Sequence, residues 1–166
     1  GGEPTLYAGL EGLLRQIKEL GYLVKLDTNG SRPAVLKALV TEKLVDYVAM
    51  DVKNCPARYG QTVGAQNMDL SPLEESLRFL LSGAVDYEFR TTVVDEFHDE
   101  DAIREMGRWL CDLVPGAKPK RLFLQPFRDR DSVLLAGLHT PSAEKLTTCK
   151  QHLSVFAEFI GIRGVD

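Results

Sequence analysis

The sequence lacks the features that typify secreted, membrane-spanning or nucleic-acid-binding proteins. Cysteine occurs only at Cys55, Cys111 and Cys149, an odd number at wide spacing that fits neither a disulfide framework nor a compact metal-ligand motif. Apolar runs are no longer than a strand, and the first residues carry no signal-peptide pattern. The formal net charge is -4, so no bulk basic field exists to hold nucleic acid or an anionic membrane. We therefore expect a cytoplasmic protein without nucleic-acid or membrane partners.

What is present is the composition of one globular domain. The chain has 166 residues, of which 44% are hydrophobic. A chain of that size buries roughly two-thirds of the surface that it exposes when unfolded. A second core would be hard to fit, so we expect residues 1–166 to form a single domain.

Hydrophobic periodicity predicts alternating helices and strands along the chain. Helices are expected over residues 6–20 with Gly21 after the end, over 35–44, from Ser71 as N-cap with Pro72 in the first turn, around 103–113, and over 142–160. Strands are expected in residues 22–30, where the strand ends in a tight loop at Asp27 to Gly30, and in residues 46–54, 87–94 and 121–128, the last closed by Pro126. The stretch 55–69 is interpreted as a polar, glycine-containing loop.

This alternation favours an α/β fold with a parallel sheet, either an open doubly wound sheet or part of a TIM-type (β/α) barrel. Four strands are too few to close a barrel. In both architectures the functional residues follow the carboxyl ends of the strands.

Polar side chains gather at those strand ends. They are Asp27, Thr28, Asn29 and Gly30 after the first strand, Asp51, Lys53 and Asn54 after the second, Arg90 in the third and Gln125 in the fourth. Carboxylates suit an ammonium group or ribose hydroxyls, and cations suit a carboxylate, so the set favours an amino-acid nucleoside. Each motif taken alone also has an ordinary structural interpretation, as a turn, a solvated strand end or an ion pair.

Strand alternation adds two expectations. If Asp27 faces one side of the sheet, so does Lys25, and Glu88 shares a face with Arg90, so Lys25 and Glu88 are predicted to pair. His98, among acidic neighbours, is interpreted as part of a solvated loop and helix start rather than as a ligand.

Taken together and in this order, five motifs resemble the radical S-adenosylmethionine enzymes. They are GGEPTL at residues 1–6, LDTNG at 26–30, AMDVKN at 49–54, FRTTVV at 89–94 and LQPFR at 124–128. More narrowly, they resemble the activating enzymes of glycyl-radical enzymes, of the anaerobic ribonucleoside-triphosphate reductase or pyruvate formate-lyase type. The resemblance implies a (β/α)6 core, of which about four units would be present here, and reductive cleavage of S-adenosylmethionine by a four-iron four-sulfur cluster. It also implies a glycyl-radical enzyme as protein substrate and a flavodoxin-type or other low-potential reductant.

The resemblance assigns roles to particular residues. Gly1, Gly2 and Glu3 would form the loop that holds the methionine ammonium, and Asp27, Thr28 and Asn29 would line the methionine and ribose. Asp51 would contact the ammonium, or a monovalent cation shared with Asp27 and Thr28, and Lys53 would bind the methionine carboxylate. Two further strand residues, Arg90 and Gln125, would approach the cofactor.

One departure limits the expected activity. The family holds its cluster with a Cys-x3-Cys-x2-Cys loop upstream of the glycine-glycine-glutamate loop, and this sequence contains no such loop. We therefore expect an inactive fragment that lacks the cluster-binding segment, with an exposed edge strand at residues 22–27. The alternatives are a cluster-less binding or scaffold module and a β/α phosphate-binding enzyme, for which Gly30-Ser31 is a weak signal.

Overall fold

The computed structural model describes residues 2–65, 67–129, 133 and 135–165. The strands are β1 (Lys25–Thr28), β2 (Tyr47–Asp51), β3 (Asp86–Val93), β4 (Leu122–Pro126) and β5 (Ile160–Ile162). The helices are α1 (Leu10–Glu19), α2 (Pro33–Thr41), α3 (Pro56–Val63), α4 (Ser71–Leu81), α5 (Glu100–Asp112) and α6 (Ala143–Leu153). Within the described residues no helix is long and apolar enough to cross a membrane.

The strands form one parallel sheet in the order β1-β2-β3-β4-β5. The order follows the chain without reversal, as in a segment of a β/α barrel, whereas a doubly wound sheet reverses its order at a switch point. Register places Asp51 of β2 beside Arg90 of β3. The predicted α/β class with a partial TIM-type barrel is confirmed, with five strands instead of four.

The hydrophobic core lies between the sheet and the helices. Parallel crossovers are right-handed, so a sheet in sequential order carries its helices on one face. The strand residues that point to that face are buried, among them Leu26, Val48, Met50, Phe89 and Leu124. The alternate strand residues include Lys25, Asp27, Glu88 and Arg90, and they form the opposite face. We call this opposite, polar surface the concave face.

Four of the differences between the predicted and the observed boundaries change a helix cap or a whole element. The first helix begins at Leu10 instead of residue 6, because Pro4–Leu6 form a separate 3-10 turn capped by Glu3. Ser71 is the first residue of α4 and not its N-cap, which is Leu70. Helix α3 lies in the stretch interpreted as a loop, since Tyr59 is its one buried residue and leaves no periodic pattern.

The fourth error concerns the end of the chain. Helix α6 ends at Leu153, and Ile160 belongs to the unpredicted strand β5. Strand β5 is only three residues long and has Gly161 at its centre, where an added Cβ would lie 2.5 Å from the Phe123 ring. Such a strand has little sequence signal, because glycine is depleted from strands.

Candidate functional site

A cavity of about 450 Å³ lies at the carboxyl ends of β1 and β2, beside Arg90 in the middle of β3. It is lined by Gly2, Glu3, Pro4, Asp27, Thr28, Asn29, Asp51, Lys53 and Arg90. The structure therefore brings together all the predicted cofactor-binding residues except Gly1 and Gln125. Gly1 lies outside the described residues. At Gly2 an added Cβ would meet nothing within 4 Å, so packing within the chain does not require glycine there.

Glu3 joins the loop before α1 to the end of β1. Its Oε1 accepts hydrogen bonds from Thr28 Oγ1 at 2.7 Å and from Thr5 Oγ1 at 2.6 Å, and its Oε2 accepts from the Asn29 amide at 2.6 Å. Burial alone would raise the pKa of Glu3, but these hydrogen bonds lower it overall. Glu3 is therefore an ionised carboxylate at neutral pH. The two hydroxyls and the backbone amide that donate hydrogen bonds to it carry no charge.

The loop after β1 is fixed by Gly30. Its φ of 74° is in the left-handed region, and an added Cβ would lie 2.1 Å from Met50 Cε. The Gly30 amide donates to Thr28 Oγ1 at 3.1 Å, and Ser76 Oγ donates to the Gly30 carbonyl at 2.7 Å. Thr28 and Gly30 thus have the structural role in a turn that was one interpretation of this motif. The Asp27 side chain differs from them, because it is 55% exposed at the cavity.

Arg90 connects the carboxylates of β1 and β2. Its Nη1 lies 2.6 Å from Asp27 Oδ2, and its Nε lies 3.0 Å from Asp51 Oδ1. Lys53 Nζ contacts the other Asp51 oxygen at 2.7 Å. Burial would lower the pKa of Arg90, but the two carboxylates raise it overall, so the guanidinium is charged. Arg90 thus lies between the two aspartates for which a monovalent cation was predicted.

The side chains that line the cavity carry one excess negative charge, not counting Lys25, which lies outside the lining 3.6 Å from Asp27. Its lining contains three carboxylates, those of Glu3, Asp27 and Asp51, against two cations, those of Lys53 and Arg90. The cations pair with the two aspartates, which leaves the charge of Glu3 without a cationic partner among the lining residues. A ligand with a net positive charge is therefore favoured over an anionic one.

Two residues near the site have structural roles that the sequence did not indicate. The prediction that His98 is solvated is wrong, because His98 is fully buried. Its Nε2 lies 2.9 Å from the Lys53 carbonyl oxygen, and its Nδ1 lies 3.0 Å from the Val94 amide nitrogen. Burial lowers the pKa of His98. Asn54 is also fully buried, and its Nδ2 donates to the Phe97 carbonyl at 3.0 Å. Both fix the segment that carries Lys53, and neither lines the cavity.

Gln125 lies apart from this cavity. Its Nε2 donates to Thr92 Oγ1 at 2.9 Å, and both residues line a separate cavity of about 310 Å³ beside Arg128 and Arg163. The structure thus does not bring Gln125 together with the other predicted residues.

A second charged cluster lies lower on the concave face, around Glu88. The predicted pair with Lys25 forms only loosely, at 3.6 Å. The stronger partner is Arg163 of the unpredicted β5 edge, whose Nη1 and Nη2 donate to the two Glu88 oxygens at 2.7 and 2.8 Å. Tyr47 Oη donates to Glu88 at 3.0 Å. Burial would raise the pKa of Glu88, but the bonds from Arg163 and Tyr47 lower it overall.

The cysteines do not fit an iron-sulfur cluster. Cys55 and Cys149 are buried and Cys111 is partly buried, and burial raises the pKa of each thiol. Over the described ranges, no group of three or more His, Cys, Asp or Glu side chains could hold a metal ion. A cubane needs several thiolates within one compact loop, which these cysteines do not provide.

Comparison with known sequences gives three relatives. A Methanocaldococcus jannaschii protein described as a glycyl-radical enzyme activating enzyme is 35% identical over 137 residues, or 77% of this chain and 57% of the relative. The 7-carboxy-7-deazaguanine synthases of Methanopyrus kandleri and Thermococcus kodakarensis are 32% and 30% identical, and 45% and 46% of their lengths are covered. The chain thus spans about half the length of the curated relatives it matches. No family model matches the sequence.

Comparison with solved structures shows the same fold. A domain of the pyruvate-formate lyase-activating enzyme from Bacteroides vulgatus superimposes with a TM-score of 0.76 at 20% identity, over 99% of this chain and 96% of that domain. Streptococcus suis SuiB bound to S-adenosylmethionine superimposes with a TM-score of 0.69 at 12% identity, over 99% of this chain and 36% of SuiB. The predicted resemblance to radical S-adenosylmethionine activating enzymes is confirmed.

Proposed function

Because the chain shares its sequence motifs and its fold with activating enzymes of glycyl-radical enzymes, we propose that it is the S-adenosylmethionine-binding part of such an enzyme. The complete protein would cleave S-adenosylmethionine reductively and generate a glycyl radical on a partner enzyme of the anaerobic ribonucleotide reductase or pyruvate formate-lyase type. A flavodoxin-type or other low-potential reductant would supply the electron.

Charge balance at the cavity is the observation that carries this proposal. S-adenosylmethionine has a sulfonium, an ammonium and a carboxylate at neutral pH, so its net charge is positive. The lining side chains have one excess negative charge, and in this proposal Lys53 would bind the ligand carboxylate and the aspartates its ammonium. Ligand binding would replace contacts that Arg90 and Lys53 now make with Asp27 and Asp51.

The iron-sulfur cluster is the part of the family's chemistry that these residues do not supply. Since the three cysteines do not fit it, the cluster ligands would come from outside these 166 residues. We therefore assign to the residues that line the cofactor cavity the role of holding and orienting S-adenosylmethionine, which fixes the geometry of the reacting groups.

A second candidate reaction is suggested by the two 7-carboxy-7-deazaguanine synthases among the relatives. Their identity to this chain is lower, and the part of each relative that the chain covers is smaller. The glycyl-radical assignment is therefore favoured. The two candidates differ in their substrate, which is a peptide segment in the first and the precursor of a 7-deazaguanine in the second.

Titration of the isotope-labelled chain with S-adenosylmethionine, followed by amide chemical shifts, tests the proposal. We expect shifts at residues 27–30, 51–53 and 90, and affinity about tenfold weaker in Lys53→Met, or ~1.4 kcal/mol. Lys37→Met is the matched control, because the Lys37 ammonium contacts Glu75 and Lys37 lies outside the cavity lining. S-adenosylhomocysteine, which lacks the sulfonium charge, should bind more weakly than S-adenosylmethionine. Shifts confined to other regions, or equal affinity in Lys53→Met, would contradict the proposal.

A further inference from the structure

A second, more enclosed pocket adjoins the proposed cofactor cavity. It has a volume of about 240 Å³ and shares Asn29 and Lys53 with the cofactor cavity. Its other lining residues come from α3, from the segment before α4 and from the start of α4: Tyr59, Val63, Met68, Asp69, Pro72 and Leu73, together with Ser31. We call this space the rim pocket. The lining of the rim pocket does not include Asp27, Asp51 or Arg90, so the charged residues of the cofactor cavity do not explain why this pocket is present.

The size of the rim pocket fits one side chain better than a whole cofactor. An apolar cavity of about 150 Å³ holds a benzene molecule, whereas sites for complete small ligands start at about 300 Å³. At about 240 Å³ the rim pocket has room for an aromatic or large aliphatic side chain. Most of its named walls are apolar, which favours the same kind of occupant.

The floor of the rim pocket is preformed. Tyr59 is 3% exposed, and its ring meets Trp109 edge to face, with 6.3 Å between the ring centroids. Trp109 Nε1 donates in turn to Glu74 Oε1 at 3.0 Å. Tyr59 Oη accepts a hydrogen bond from the Lys53 amide at 3.3 Å. The floor is thus connected directly to the segment that carries a proposed cofactor-binding residue.

The rim of the pocket exposes apolar side chains. Val63 is 40% exposed and Met68 is 37% exposed, while Leu73 below them is 2% exposed. Exposed apolar side chains grouped around a cavity mark interaction sites, and methionine adapts to differently shaped partners. The free chain thus has an apolar opening beside a strongly charged cavity.

Resting on the proposed function, we propose that the rim pocket binds an apolar side chain that flanks the target glycine of the partner protein. Glycine has no side chain, so recognition of a glycine-containing segment has to use its neighbours. In an extended segment successive residues advance about 3.3 Å, so a residue beside the glycine is only that far from it along the segment. Because the two pockets share a wall, a flanking side chain reaches the rim pocket while the glycine lies over the cofactor cavity.

Peptide binding tests this assignment. The probes are fluorescently labelled peptides with one central glycine and a phenylalanine at either flanking position, and the same peptides with alanine instead. We expect at least one phenylalanine peptide to bind about tenfold more tightly than its alanine counterpart. Val63→Glu should abolish the difference, whereas Val155→Glu, an equally drastic change at an exposed position away from the pocket, should retain it.

Two results would overturn the assignment. Equal binding of phenylalanine and alanine peptides, including no binding of either, excludes a side-chain pocket. Competition between the phenylalanine peptide and S-adenosylmethionine would show that the rim pocket is part of the cofactor-binding site. Failure of the unmodified chain to bind S-adenosylmethionine would instead contradict the proposed function. Val63→Glu should leave S-adenosylmethionine binding unchanged.

Discussion

Two charged clusters on the concave face use the same residue types in different ways. The upper cluster borders the cofactor cavity at the carboxyl ends of β1 and β2 and consists of Asp27, Asp51, Lys53 and Arg90. The lower cluster, Lys25, Tyr47, Glu88 and Arg163, lies further down the strands. In the lower cluster Glu88 is 2% exposed and its two oxygens are held bidentately by Arg163.

The difference lies in exposure and in how the carboxylates are shared. Asp27 is 55% exposed and Asp51 is 25% exposed, so a ligand can reach both and exchange partners with Arg90 and Lys53. Glu88 is nearly inaccessible, and removal of Arg163 would leave its buried charge with only the Tyr47 hydrogen bond and the looser contact to Lys25. We therefore expect the lower cluster to stabilise the sheet and the upper cluster to bind ligand, and the predictions below test that division.

The largest effect on stability is expected from Arg163→Met. Breaking a buried ion pair typically costs 3–5 kcal/mol, and because Arg163 is 44% exposed and Tyr47 and Lys25 remain near Glu88, we expect the low end of that range, about 3 kcal/mol. Urea unfolding measures the change. Arg128→Met is the control, since Arg128 is exposed and, within the part of the chain that the structure describes, its side chain donates a hydrogen bond to the Gly164 carbonyl and forms no ion pair. Adding Glu88→Gln to Arg163→Met should recover part of the loss, and a further loss instead would contradict the buried-charge explanation.

A smaller effect, about 2 kcal/mol, is expected from Gly30→Ala in the loop of the upper cluster, because left-handed backbone and overpacking each cost about 1 kcal/mol or more. The new Cβ would meet Met50 Cε at 2.1 Å. Gly64→Ala separates the two causes, since Gly64 also has positive φ but an added Cβ there meets nothing within 4 Å. Equal losses in both variants would show that contact with Met50 is unimportant.

A modest effect is expected from the titration of His98, which holds the Lys53 carbonyl. Burial lowers the pKa of His98 in the folded chain, so the unfolded chain takes up a proton first, near the ordinary value of 6.5. The contribution of His98 to stability is therefore complete above that pH and decreases as the pH falls below it. His139 has a raised pKa and contributes with the opposite sign, so the pH dependence of His98→Gln is compared with that of the unmodified chain. Parallel curves would contradict the prediction.

The smallest effect is expected from Lys25→Met. Lys25 lies 3.6 Å from both Asp27 and Glu88, and its side chain is 47% exposed. Exposed pairs of this kind contribute about 0.2–1 kcal/mol, and at this distance we expect a loss below about 0.5 kcal/mol in urea unfolding. A loss as large as that of Arg163→Met would mean that Lys25, and not Arg163, is the main partner of Glu88.

The sequence predicted the upper cluster better than the lower one, for a physical reason. In a parallel sheet the carboxyl ends of strands converge, so the motifs with Asp27, Asp51 and Arg90 were expected to meet once three strands were recognised. Arg163 could not be placed, because it follows a three-residue strand with a central glycine. The roles of Asn54 and His98 depend on contacts between loops that are more than 40 residues apart in the chain, which local patterns do not carry.

The most direct test measures affinity for S-adenosylmethionine and the free energy of unfolding on the same preparations of Lys53→Met and Arg163→Met. We predict that Lys53→Met weakens binding about tenfold and changes stability by less than about 1 kcal/mol. Arg163→Met should do the reverse, with a large loss of stability and nearly unchanged affinity under conditions in which it is folded. Unchanged affinity in Lys53→Met, or equal loss of affinity in both variants, would contradict the division of the concave face into a binding cluster and a structural cluster.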